Sequence, residues 1–278
     1  MSESKSIPEA LREAAAVLAG VSDTPRLDAE LLMAHALGVS RDRMILDALE
    51  ADAPVAFPLL LDRRLAHEPV AYITGTRAFW TIELKVAPGV LIPRPDTETL
   101  IEAAVEHFGK AGPATVLDLG TGSGALLLAA LAEWPQAHGV GVDQSAEALA
   151  IAGENARALQ LHDRVAFLEG GWDAAEGFFD LILCNPPYIR EGENLPRQVA
   201  AFEPAGALYA GADGLEDYRR IAPLLRGYLA PGGIACLEVG QGQAANVAVL
   251  LHAEGLRTDL RQDLAGITRC VVASSSHY

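Results

Sequence analysis

Cysteine is scarce in this sequence, cations are outnumbered, and no apolar run is long. The three cysteines, Cys184, Cys236 and Cys270, each sit inside an apolar stretch. That suits small buried residues in a reducing compartment rather than a disulfide framework. The seven histidines form neither H-x-x-x-H nor a Cys/His cluster with ligand spacing, so no metal is expected. Gly, Pro or a charge interrupts every apolar stretch short of the roughly 18 to 20 residues that a bilayer span requires, so a soluble protein with no membrane partner is expected. Glu3, Glu9 and Glu13 stand where a signal peptide has a basic start and an apolar centre; a cytoplasmic location is expected.

Lysine and arginine number 21 against 37 aspartates and glutamates, a formal charge of −16. Nucleic-acid binders take most of their non-specific affinity from cations that neutralise phosphates, so a free DNA or RNA partner is disfavoured. The same charge also serves solubility. What is abundant is apolar content, 50% of 278 residues, enough for one sizeable core or two modest ones.

The pattern from Pro8 to about His67 is helical. "ALREAAAVLAG" ends at Gly20, "RLDAELLMAHALG" spaces apolar residues three and four apart and ends at Gly38, and "VAFPLLLDRRLAH" follows; glycine just past the last periodic residue is a helix stop. After Glu68-Pro69 the composition turns aromatic and β-branched, with Gly75 and Pro88-Gly89 as turn signals, which reads as a β-hairpin linker. From Thr97 onward short apolar strands ("TVLDL", "GVGVD", "VAFLEG", "FDLILC", "GIACLEVG") alternate with amphipathic helices, and "LRTDLRQD" and "TRCVVAS" close the chain. Seven strands in this pattern imply a doubly wound α/β domain, mostly parallel and covered on both faces. The expected division is a helical bundle at 1–75, a hairpin linker at 76–95 and an α/β domain at 96–278. No heptad seam is visible, so a monomer is expected.

Directly after the first strand of that domain comes "DLGTGSG", with Asp118, Gly120, Thr121, Gly122, Ser123 and Gly124. Alternating glycines let the backbone turn tightly and approach a ligand at the carboxyl edge of the sheet. The spacing is not the dinucleotide G-x-G-x-x-G, and an aspartate at the loop entrance opposes a pyrophosphate. A ligand with a positive end fits better, and S-adenosyl-L-methionine has a sulfonium and an ammonium. Asp143, which ends "GVGVD" about 20 residues further on, is placed to accept ribose hydroxyls; the plainer alternative is a cap on the helix that follows.

The tetrapeptide Asn185-Pro186-Pro187-Tyr188 ends the strand "FDLILC" and so falls beside that cofactor. An amide nitrogen is a weak nucleophile that has to be held in line with the methyl group it attacks. The Asn185 side-chain oxygen and the Pro186 carbonyl can accept the two N–H bonds of a planar NH2 group, leaving its π face toward the methyl. The prolines hold that carbonyl by their fixed φ, and the Tyr188 ring can cover the flat group. Acceptors that draw charge as the bond forms stabilise the transition state more than the ground state, and the extra proton leaves to water. The plainer alternative is a rigid or proline-rich recognition loop.

Together "DLGTGSG", "GVGVDQSAEALAIAGENA" and "FDLILCNPPYI" resemble the Rossmann-like class I S-adenosylmethionine-dependent methyltransferases that modify planar nitrogens, a group that includes adenine-N6 and protein-glutamine enzymes. "RRLAHEPVAYITGTRAFW" with "VLIPRPDTETL", "EPAGALYAGADGLEDYRRI" and "LEVGQGQ" is similar to the PrmC/HemK family, which methylates the glutamine N5 of the Gly-Gly-Gln motif in class-1 peptide-chain release factors. The resemblance spans nearly the whole chain. It implies that Gly120, Thr121, Gly122, Ser123 and Gly124 hold the methionine end of the cofactor, with Asp143 on the ribose, Trp172 beside the adenine and Asn185 next to the transferred methyl. Asn185, Pro186, Pro187 and Tyr188 would bind the substrate amide, the first two and Tyr188 being the catalytic set. The product would be S-adenosyl-L-homocysteine, the partner a release factor, and the helical part would assist recognition. Arg94 and Glu98 would order the linker.

Two departures stand out: Gly171 precedes Trp172 where relatives often carry Asp, and Ile267-Thr268 precedes Arg269 where they more often carry a charged pair. Adenine-N6 methylation of nucleic acid, and a non-catalytic cofactor-binding module, remain as alternatives.

Overall fold

In the computed structural model, which describes residues 5–47 and 50–275, proline begins several helices, as its fixed φ and missing N–H favour. The helices α1 (Ile7–Leu18), α2 (Pro25–Leu37) and α4 (Phe57–Leu65) all carry proline in the first turn, and Gly38 closes α2 in the left-handed conformation. With α3 (Arg41–Asp47) they bury Ile7, Leu11, Leu32, Met33, Met44 and Phe57, each worth about 1.5–3 kcal/mol on burial. One buried charge pair crosses this core: Arg64 Nε lies 2.7 Å from Asp28 Oδ2. Glu3, and the first four and last three residues of the expected domains, lie outside the described residues.

After Pro69 the aromatic, β-branched composition reads as hairpin, yet its first five residues are helical and lie within the 1–75 expected for the helical part. Val70–Thr74 forms a short helix, α5, ended by Gly75 at φ 77°, and only Thr76–Phe79 (β1) and Ile82–Lys85 (β2) form the two-stranded sheet. β-branched propensity yields here to burial of Tyr72 and Ile73, the usual outcome when tertiary packing competes with a weak local preference. The chain divides into two units. One comprises residues up to Thr76 with Leu195–Phe202, which contains the short helix α9 (Arg197–Ala200); the other comprises Arg77–Asn194 and Glu203 onward.

The second unit is a seven-stranded sheet. Its strands are β3 (Thr115–Leu119), β4 (His138–Asp143), β5 (Val165–Glu169), β6 (Phe179–Cys184), β7 (Leu229–Glu238), β8 (Leu256–Gln262) and β9 (Thr268–Ser275), in the order β5-β4-β3-β6-β7-β9-β8. The first five pair in parallel, and β9 runs antiparallel to both β7 and β8. Alternation along each strand splits the core: Val116 and Leu181 pack with α6 (Glu98–Phe108) and α7 (Ala125–Glu133), while Leu117 and Ile182 pack with α10 (Glu216–Tyr228) and α11 (Ala244–Ala253). Helix α8 (Ala146–Ala158) follows β4. The parallel order reverses at β3, between β4 and β6, and such a switch point opens a crevice beyond the carboxyl ends of the strands. All three cysteines are buried and unpaired. Among the described residues, no helix is long and apolar enough to cross a membrane.

Candidate active site

The crevice contains a cleft of about 360 Å³, and Gly120, Gly122, Asp143, Trp172, Asn185 and Pro187 line it. The glycine loop is drawn into place by the neighbouring strand: the Gly120 and Thr121 amides both donate to the Val142 carbonyl at 2.9 Å. Gly120 has φ +74°, and a Cβ there would stand 3.2 Å from the Trp172 ring, so glycine lets the loop and the indole approach closely.

Thr121, Ser123 and Gly124 are not part of the cleft wall. Thr121 and Ser123 are buried, Thr121 donates its hydroxyl to Asp118 Oδ2 at 2.6 Å, and Gly124 stands at the start of α7. Asp118 itself, expected at the loop entrance, is turned inward under the loop. It accepts from Thr121 and from the Leu127 amide, while its Oδ1 is buried with no hydrogen-bond partner among the described residues. Burial pushes this carboxyl up to about 7, against the two hydrogen bonds that favour its ionised form.

Asp143 does not cap α8. Ser145 does so, its hydroxyl accepting the Ala148 amide. Asp143 instead accepts the Gly122 amide on Oδ2 at 2.8 Å and the Ser145 amide on Oδ1 at 2.9 Å, so the carboxylate ties the β4 end to the glycine loop and still faces the cleft. Trp172 donates its indole N–H to Asp217 Oδ1 at 3.1 Å, and Asp217 and its ion partner Arg220, 3.6 Å away, share the cleft wall. An acidic group therefore stands beside the tryptophan although Gly171 precedes it.

Asn185 donates Nδ2 to the Thr97 hydroxyl at 3.3 Å. That leaves the side-chain oxygen as an acceptor. Pro186 is buried, and among the described residues no hydrogen bond reaches its carbonyl. Tyr188 is turned away from the cleft wall: its hydroxyl donates to Glu238 Oε1 at 3.2 Å and its carbonyl accepts from Gln243 at 2.8 Å. Burial, then the neighbouring Glu238, pushes the Tyr188 phenol up, so it stays protonated at neutral pH and is not a base. The following residues pair with a second segment, Ile189 exchanging backbone hydrogen bonds with Leu208 and Ala210 at 2.9 Å. This holds Tyr209 in the cleft wall.

Arg94 and Glu98 lie off the cleft. Arg94 pairs with buried Glu203, which also accepts the Ile92 amide, and Glu98 accepts the Trp80 amide. Arg269, after the unusual Ile267-Thr268, bridges Asp263 and Asp96. Sequence reasoning assigned no role to Thr97, Glu203, Asp217, Arg220 or Glu238. The available signal was weak, a glutamate inside the apolar strand "GIACLEVG".

Residues 9–75 match the family described as PrmC N-terminal domain, and residues 95–204 match the Methyltransferase small domain. A 263-residue stretch is 44% identical to the release factor glutamine methyltransferase of Rhodospirillum rubrum, covering 92% of this chain and 80% of that one. The enzyme of the same name from Cereibacter sphaeroides is 44% identical over 95% of this chain and 97% of its own. Among solved structures, a methyltransferase from Pyrococcus furiosus superposes with a TM-score of 0.54 at 17% identity, covering 76% of this chain and 95% of that one. A 16S rRNA N2 G1207 methyltransferase of T. thermophilus in complex with AdoMet and guanosine also gives 0.54, at 21% identity over 72% of this chain and 50% of its own. These two likenesses show the fold alone.

Proposed function

This chain belongs to the release factor glutamine methyltransferase family, and on that premise we propose that it transfers a methyl group from S-adenosyl-L-methionine to the side-chain amide nitrogen (N5) of the glutamine in the Gly-Gly-Gln motif of class-1 peptide-chain release factors. The observation that carries the mechanism is the Asn185–Thr97 hydrogen bond, in which the Asn185 NH2 donates to the threonine hydroxyl and leaves the side-chain oxygen to accept.

The residues fit the cofactor. A glycine cradle that a Cβ would fill lies against Trp172, and the Asp143 and Asp217 carboxylates border the cleft. In this reading Gly120 and Gly122 hold the methionine end, with Thr121, Ser123 and Gly124 supporting the loop from beneath. Asp143 takes the ribose hydroxyls, Trp172 covers the adenine, and Asp217 is the acidic neighbour that Gly171 does not provide. When bound, S-adenosyl-L-methionine supplies a methyl on a sulfonium and leaves as S-adenosyl-L-homocysteine.

Asn185 Oδ1 accepts one N–H of the glutamine amide and the Pro186 carbonyl accepts the other, fixing the plane of a nitrogen whose lone pair is otherwise delocalised. Held this way, the nitrogen offers its π face to the methyl group. As its new N–C bond forms, the N–H bonds become more acidic and the two acceptors strengthen their hold, the differential binding that lowers the barrier. The surplus proton passes to water. Pro187 shapes the wall, and Tyr188, anchored by Glu238 and Gln243, keeps the tetrapeptide rigid and packs against the site from below. The helical residues 1–75 contribute to release-factor recognition, residues 76–95 link, and residues 96–278 perform the transfer, in a cytoplasmic monomer.

The test is mass spectrometry of a purified release factor after incubation with this protein and S-adenosyl-L-methionine, with an adenine-containing duplex in a parallel tube. Methyl on the Gly-Gly-Gln peptide, lost when that glutamine is changed, is the expected result. Methyl on the duplex and none on the peptide would replace this substrate with nucleic acid.

A further inference from the structure

The cleft wall contains an aromatic ring that the transfer just described does not use. Among the described residues, Trp172 and Tyr209 are the aromatic side chains of that wall. Trp172 follows β5 and, in the reading above, covers the adenine. The cofactor contacts proposed there all come from the loops after β3, β4 and β5, with Asp217 beside the indole. Tyr209 lies beyond β6, in the segment stitched to the end of the tetrapeptide.

That stitching is specific. The Ile189 amide donates to the Leu208 carbonyl and the Ala210 amide to the Ile189 carbonyl, both at 2.9 Å, and the Tyr209 amide donates to Ala205 at 3.1 Å. The residue after Tyr188 is thus tied to both neighbours of Tyr209, and Asn185, Pro187 and Tyr209 share one wall. Leu208 and Ala210 are buried, whereas Tyr209 is half-buried. Its flanks are anchored in the fold and its ring borders the cleft. The hydroxyls of Tyr188, Tyr218 and Tyr228 are all engaged, but among the described residues no hydrogen bond reaches that of Tyr209.

A ring at a cleft, apolar on its faces and polar at its tip, suits a flat group on an aliphatic stem. The glutamine side chain is two methylenes and a planar amide. Asn185 and Pro186 take its N–H bonds in the plane, and one face turns to the methyl group. The opposite face and the methylenes are left to be covered. Tyr188, from which the sequence leads one to expect that cover, directs its hydroxyl to Glu238 instead.

We propose that Tyr209 is a substrate-binding residue whose ring packs against the methylenes of the target glutamine and the amide face opposite the methyl group. The inference rests on the acceptor arrangement proposed above.

The experiment measures kcat/KM for methylation of a release factor by the full chain carrying Tyr209→Ala or Tyr209→Phe. Calorimetric affinity for S-adenosyl-L-homocysteine and the melting temperature are read in parallel. Tyr209→Ala is expected to lower kcat/KM by about tenfold or more, the scale of an aromatic anchor at a contact, with cofactor affinity near wild type. Tyr209→Phe keeps the ring and should retain most of the wild-type value.

Wild-type kcat/KM in Tyr209→Ala overturns the inference. So does a fall in cofactor affinity that accounts for the loss, since the ring would then serve the cofactor. Tyr209→Phe as slow as Tyr209→Ala would assign the effect to the hydroxyl and overturn it too. If Tyr209→Ala does not fold, Tyr209→Leu decides: it fills space without a flat face, and kcat/KM equal to that of Tyr209→Phe sinks the proposal. No methylation by the wild-type chain would instead sink the proposed reaction itself.

Discussion

Asp143 Oδ2 accepts the Gly122 amide at 2.8 Å, so the carboxylate that borders the cleft also pins the middle glycine of the loop. One residue thereby couples the second strand of the switch point to the backbone that approaches the ligand. Replacing it removes an acceptor for two amides, Gly122 and Ser145, together with the proposed ribose contact. Asp143→Ala is expected to weaken S-adenosyl-L-homocysteine binding by roughly ten- to a hundredfold, the scale of one or two hydrogen bonds to a charged group. Calorimetric titration reads this directly, and an unchanged Kd would remove Asp143 from the cofactor site.

Asn185→Ala separates chemistry from binding. The side chain supplies an acceptor that strengthens as charge develops, so its loss is expected to lower kcat by about a hundredfold or more, the scale seen when one preorganised polar partner of a transition state is deleted. Its bond to Thr97 is long, 3.3 Å, and worth about 1 kcal/mol, so the melting temperature and cofactor affinity should stay near wild type. Turnover at the wild-type rate would end the proposed mechanism.

What the sequence disclosed follows from how local each feature is. The glycine loop, Asp143 and Asn185 each sit at a strand end announced by its own apolar run, so position in the fold could be read from neighbours in the chain. Thr97 and Glu238 could not be found that way. Their significance lies in contacts with Asn185 and Tyr188 across 88 and 50 residues, and a threonine in "RPDTETL" has no local feature that distinguishes it from a helix start. Asp217 is similar: 45 residues separate it from the indole it accepts. The turning inward of Asp118 and Tyr188 was equally hidden, because strand-end position fixes where a backbone is and not where its side chain goes. Segment 70–74 has the composition of a strand, and burial of Tyr72 and Ile73 favours a helix there.

The helical unit contains a separate stability test. Arg64 and Asp28 are both buried and 2.7 Å apart, and Arg64 also donates to Gln198 at 3.0 Å. Removing one partner of such a pair leaves the other charge without compensation, at a cost of about 3–5 kcal/mol. Asp28→Ala is therefore expected to lower the denaturant midpoint strongly. Replacing both residues by apolar side chains of similar volume should recover much of the loss. A single variant as stable as wild type would show that the pair has little net effect.

A last expectation concerns pH. Burial raises the Asp118 carboxyl from 3.8 to about 7, so the folded protein binds this proton more tightly than the unfolded chain does. The corresponding stabilisation is complete below the ordinary value and is lost as pH rises through about 7. Glu238, raised to about 7 chiefly by its burial, acts in the same direction. Urea midpoints should consequently fall from about pH 4, the ordinary carboxylate range, to about pH 7 and level off above it, once both groups are ionised in folded and unfolded chains alike. Asp118→Asn keeps an acceptor for Thr121 and cannot ionise, so it should remove the Asp118 share of that fall while leaving the share due to Glu238. The comparison isolates one group, since every other titration is common to both proteins. If the variant and wild-type midpoints descend in parallel, Asp118 is already ionised throughout the window, and its buried Oδ1 is solvated in a way the fold does not display.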